Sequence, residues 1–164
     1  MDESNSSLWG LWNLNSCHMS VHSGGAGGGN SSVTPFGEKP LGRISITREG
    51  YLSAMVTSVE GAAPRTGTEW PLATEADIVR SARPMVAYCG VCRTWKEGET
   101  MFLATKIELA LDPNMIGTDR VRVAEVREEG GRTFLTLKPL QEFTTEDGTK
   151  GDLTICWEKV QLPR

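Results

Sequence analysis

MFLATKIELA, residues 101–110, puts Met101, Leu103, Thr105, Ile107 and Leu109 on one side of an extended chain and Phe102, Ala104, Lys106 and Glu108 on the other. Successive strand side chains point to opposite faces, so this period of two predicts a strand with one face against a core. The alternation returns downstream at Val121 and Val123, at Thr133, Leu135 and Leu137, and at Leu153, Ile155 and Trp157. Turn residues mark the gaps: Glu97-Gly98, Asp112-Pro113-Asn114, Gly130-Gly131 and Asp147-Gly148.

Upstream, residues 43–47 and 51–59 are rich in Ile, Val, Tyr and Thr, and Arg48-Glu49-Gly50 between them supplies the glycine of a tight hairpin. Residues 8–21, with Trp9, Leu11, Trp12, Leu14, Met19 and Val21, read as one long strand. The run SGGAGGGNSS that follows cannot bury enough apolar surface to offset its ordering entropy. Residues 23–34 are therefore expected to form a mobile loop, and residues 1–7 a flexible N-terminus. Thr74-Glu75-Ala76-Asp77 resembles a capping box, after which Ile78, Val79 and Ala82 share an apolar face and Pro84 stops a short helix.

The reading gives eight strands, near residues 9–21, 42–48, 51–59, 85–95, 100–110, 119–128, 132–140 and 152–161, with the helix before the fourth. Sequential hairpins imply an all-β, up-and-down antiparallel meander. An eight-stranded sheet can close on itself, which removes its edges and leaves room for packed side chains or one small ligand. A two-sheet sandwich is the competing architecture, but no long Greek-key connection is evident.

A chain of 164 residues suits a single domain, 1–164, and can bury roughly two-thirds of its unfolded surface. The formal net charge of −4, from 17 basic and 21 acidic residues spread along the chain, offers no footprint for nucleic acid or an anionic membrane. The opening MDESNSS lacks the basic-then-apolar order of a secretory signal, and no segment approaches bilayer-spanning length; both point to the cytoplasm. In that compartment the four cysteines are expected as free thiols.

Several chemical motifs fail on context. Cys89-Gly90-Val91-Cys92 has thioredoxin spacing but sits in a strand, where positions three apart face opposite ways and lie about 10 Å apart, too far for a disulfide. His18 and His22 have a ligand-like spacing, yet most of the chain separates them from the cysteine pair, unlike a compact zinc module. The glycines at 24–29 precede no helix that could cradle a phosphate. No nucleophile elbow or Ser-His-Asp order is present. Catalysis, if any, works by shape and hydrogen bonding, with no cofactor and no metal.

Gly10-Leu11-Trp12 matches the Gly-x-Trp opening of lipocalin-type barrels, and LGRISITREGYLSA (41–54), AYCGVCRTW (87–95), LDPNMIGTDRVRV (111–123) and LTICWEKV (153–160) are similar, in order, to the bacterial and fungal lipocalin-like domain proteins. The chain departs from that pattern at Cys89 and Val91-Cys92, where the family has an aromatic residue and a Thr-Tyr pair. The resemblance implies an eight-stranded lipocalin-like (calycin) β-barrel. It also implies one of two functions: a cofactor-free cyclase or isomerase, pericyclase-like, acting on a polyketide- or terpenoid-type intermediate, or a carrier for a small hydrophobic metabolite. A homodimer is left open.

Trp12 is expected to stack with Arg122 or another strand arginine at the bottom of the barrel. Tyr88 and Arg122 are the expected catalytic groups, and Trp12, Tyr51, Met55, Met101, Thr105 and Trp157 the expected substrate-binding ones. A one-residue slip in strand parity would turn any of these to the other face. Plain core packing is the competing role for each.

Overall fold

The alternating segments pair into a ring. The computed structural model describes residues 7–21, 31–67 and 69–162. In chain order these contain β1 (Gly10–Val21), a short β2 (Ser31–Val33), β3 (Leu41–Ile46), β4 (Tyr51–Thr57), helix α1 (Glu75–Ala82), β5 (Val86–Glu97), β6 (Thr100–Ala110), β7 (Asp119–Glu129), β8 (Arg132–Pro139), a two-residue β9 (Phe143–Thr144) and β10 (Lys150–Lys159). The order β1-β3-β4-β5-β6-β7-β8-β10, with β10 paired back to β1, closes an eight-stranded antiparallel barrel. The closing seam runs from Trp12 opposite Lys159 to Ser20 opposite Asp152.

β2 and β9 are additions at one rim, on β1 and β10. Within the span 23–34, Ser31–Val33 is thus paired strand; residues 23–30, like His22 and residues 1–6, lie outside the described residues.

Local chemistry explains the joints. Gly50 closes the β3–β4 hairpin at φ 87°, a backbone conformation L side chains rarely adopt, and its bare Cα faces the Cys92 carbonyl, which an added Cβ would meet at 3.1 Å. Thr74 caps α1, its hydroxyl accepting from the Asp77 N–H at 3.2 Å. The apolar face expected on α1 is not buried: Ile78 and Val79 remain 36% and 42% exposed. Arg80 instead ties the helix to the Glu60 carbonyl at 3.0 Å.

The alternation quoted at the outset breaks at Leu109. Cys89 pairs with Leu109 but Gly90 pairs with Ile107, so Glu108 is an extra residue in β6. Such a bulge turns everything beyond it through one position. Ile107 is buried in the barrel, whereas Leu109 is 65% exposed on the outer wall. The bulge presses the Lys106 carbonyl onto Gly90, where an added Cβ would stand 1.9 Å from the oxygen. Only glycine fits there. Cys92 is buried inside while Cys89 sits on the outer face with Tyr51, and all four cysteines are free thiols.

Candidate functional site

Leu8, Trp12, Ile46, Leu52, Leu103 and Leu135 are almost fully buried and belong to one core cluster. Trp12 is wholly buried, its indole N–H donating to the Leu8 carbonyl at 2.9 Å. The cation over its ring is Lys159, 5.1 Å from the centroid, rather than Arg122. Gly10 makes this possible: it has φ 129° and an added Cβ would touch the Lys159 Cε at 3.2 Å. The Gly-x-Trp opening is therefore a seat for the lysine of the last strand, and Arg122 is committed elsewhere.

The rest of the interior encloses a cavity of about 540 Å³, within the range of small-molecule sites. Ile44, Ala54, Val56, Leu137, Leu153 and Ile155 supply its apolar wall. Phe36 and Phe143, 5.7 Å apart between ring centroids, also line it. Tyr88, Arg120, Arg122 and Trp157 supply polar atoms from the barrel wall, Gln141 and Thr144 add others from exposed positions, and Cys17 lies on the β1 side. Burial pushes the Cys17 thiol up to about 12 from an ordinary 9.0, so it lines the wall as a neutral group.

Arg122, only 7% exposed, donates to the Arg120 carbonyl at 3.1 Å and to the Tyr88 hydroxyl, and its guanidinium lies 5.4 Å from the Tyr88 ring centroid. Among the described residues, the Trp157 Nε1 and the Arg120 Nε find no hydrogen-bond partner, though both atoms are buried. Asp112, Glu142 and Arg83, which also contribute to the lining, are exposed.

Of the eight residues read from the sequence as site residues, the structure brings Tyr88, Arg122 and Trp157 together on this wall. Met101 and Thr105 stand inside the barrel but off the cavity, opposite Ala124 and Arg120 respectively. Trp12 is packed at the base. Tyr51 and Met55 require correction, because the inward positions of β4 are Leu52, Ala54 and Val56. Met55 is 54% exposed and borders a shallow outer groove with Leu109 and Leu111. The Tyr51 hydroxyl lies outside, 3.4 Å from the Cys89 sulfur and 2.9 Å from a Glu108 carboxylate oxygen, and these two bonds hold its phenol above the ordinary range. Arg120 was missed. Its signal was the two-residue step to Arg122, which puts both guanidinium side chains on the same face of β7.

A closed antiparallel meander around one ligand-sized interior cavity defines a lipocalin-like barrel, an architecture suited to a small hydrophobic ligand. The chain belongs to the lipocalin-like domain family, whose model matches residues 9–160. No curated protein and no solved structure matches the chain. Among the described residues no helix is long and apolar enough to cross a membrane.

Proposed function

We propose that the protein binds a small, largely apolar molecule inside the barrel and acts on it in the cytoplasm as a cofactor-independent cyclase or isomerase of secondary metabolism. A polyketide- or terpenoid-type intermediate is the substrate class in view. The observation that carries this reading is the Tyr88–Arg122 pair, which faces a largely aliphatic wall across the cavity. A guanidinium donating to the hydroxyl oxygen polarises the O–H bond, and chains of hydrogen bonds strengthen one another in a low-dielectric interior. The hydroxyl proton remains available to a substrate carbonyl, a bond worth about 1–3 kcal/mol if made mainly in the transition state. Confining a flexible chain in a reactive fold contributes more, up to about 7–11 kcal/mol in well-oriented cases.

The test is to incubate purified protein with a candidate polyene or quinone methide and to follow the product ratio. A shift toward one cyclised product supports turnover; an unchanged ratio rejects it for that substrate class. The second reading, a non-catalytic carrier, is favoured by how much of the cavity wall is aliphatic. Native mass spectrometry of protein from its own host separates the two, since a carrier retains its cargo unchanged whereas an enzyme converts it.

A further inference from the structure

The β6 bulge assembles a second chemical cluster, on the outside of the barrel. Glu108 is the extra residue, and with Leu109 it is exposed on the outer wall beside Cys89 of β5. Tyr51 of β4 stands opposite Val91, and its hydroxyl lies 3.4 Å from the Cys89 sulfur and 2.9 Å from a Glu108 carboxylate oxygen. One phenol thus joins a thiol to a carboxylate. Bulges recur next to active sites because they re-aim side chains in this way. Cys89 also lines the outer groove of about 680 Å³, with Leu11, Met55, Ala87, Leu109 and Leu111.

A phenol has one proton to give. Given to Glu108, it leaves the phenol oxygen to accept the Cys89 S–H. When the thiol proton passes to that oxygen and the phenol proton passes on to Glu108, the products are a thiolate held by the Tyr51 O–H and a carboxylic acid behind it. This is the arrangement of an activated nucleophile, in which a neighbouring group takes the proton of the attacking atom. The bonds that hold the Tyr51 phenol above its ordinary range favour its protonated form, so it relays a proton without keeping a charge.

We propose that Cys89 is a covalent capture site for apolar α,β-unsaturated carbonyl compounds, with Tyr51 and Glu108 as its proton relay and the groove as the seat of the apolar body. The sulfur attacks the β carbon and forms the S–C bond, while the π pair of the C=C bond moves to the α carbon as an enolate. The Tyr51 O–H then protonates the α carbon and takes back the proton held on Glu108. A thiol and an enone become one saturated thioether, with no co-reactant. The site lies outside the barrel and is independent of interior binding.

The test is to treat the full chain at pH 7 with 1-octen-3-one and with methyl vinyl ketone, which share a vinyl ketone and differ in tail, and to follow each cysteine by peptide mass spectrometry. Cys156, half-buried on β10 opposite Ser16 and Thr136, is the internal reference, whereas Cys17 and Cys92 are buried. Cys89 is expected to react with 1-octen-3-one about tenfold faster than Cys156 does, and to prefer it over methyl vinyl ketone more strongly than Cys156 does. Tyr51→Phe and Glu108→Gln should each slow Cys89 by about tenfold and leave Cys156 unchanged. A bystander thiol gives the opposite sign, because a carboxylate disfavours a neighbouring thiolate and its removal speeds attack. Equal rates at Cys89 and Cys156 overturn the capture site, and an equal preference for the longer ketone overturns the groove as its seat. Unchanged or faster reaction at Cys89 in folded Glu108→Gln overturns the relay. The comparison of the two cysteines in unsubstituted protein stands even if a variant does not fold.

Discussion

Arg122 is buried in the barrel with its guanidinium over the Tyr88 ring and one N–H on the Tyr88 hydroxyl, which makes the two side chains a single polar unit on the cavity wall. Removing one member does not have the same effect as removing the other. Tyr88→Phe leaves a buried guanidinium N–H without its acceptor and should lower stability by about 1–3 kcal/mol. Arg122→Met removes the buried charge itself at similar volume and should be neutral or stabilising. Urea denaturation of both variants measures the difference; equal losses would refute this asymmetry. On the enzyme reading turnover falls about tenfold per 1.4 kcal/mol of transition-state stabilisation lost, whereas on the carrier reading only affinity responds.

Gly90→Ala should cost about 3 kcal/mol or more, because the new methyl group lands 1.9 Å from the Lys106 carbonyl oxygen and the obstacle is backbone. Val91→Ala, whose side chain is 52% exposed, is the comparison and should move the urea midpoint far less. A Gly90→Ala protein with unchanged midpoint would refute the close contact imposed by the bulge.

Lys159→Met should destabilise by about 0.5–1 kcal/mol through loss of the contact with the Trp12 ring. The same change should leave ligand affinity unaltered, since Lys159 lies at the packed base and not on the cavity wall. Thermal unfolding and a binding isotherm on one preparation check both halves.

Cys17 makes stability pH-dependent on the alkaline side. Burial raises its thiol from 9.0 to about 12, so below pH 9 its contribution is fully present. Between pH 9 and 12 the unfolded thiol ionises while the folded one holds its proton, and stability falls as pH rises. Cys17→Ala should flatten the decline of stability over that window. An identical slope in wild type and variant would exclude Cys17 as its source.

Most of the barrel was legible because alternation, turn glycines and a capping threonine are local signals. Eight strand positions, the Gly50 hairpin and the Thr74 cap lie where those signals put them. What escaped was set across strands. Leu109 continues the apolar period of its own segment, and only the pairing with Cys89 and Gly90 turns it outward. Tyr51 and Met55 look like lining because they are large and apolar, yet face is decided by register with β5, where Tyr51 meets the exposed Val91. The cation on Trp12 could not be chosen from sequence, since Lys159 reaches it only once the barrel closes.

The seam between β1 and β10 also governs when the molecule can exist at all. Gly10–Val21 has its long-range partner in Lys150–Lys159, so during synthesis the first strand waits for nearly the whole chain to emerge before its second edge is covered. Until then the growing meander carries two open edges and an apolar inner face, the combination that slows folding and invites misassociation. The inner face of the meander is therefore covered only when the last strand docks on the first.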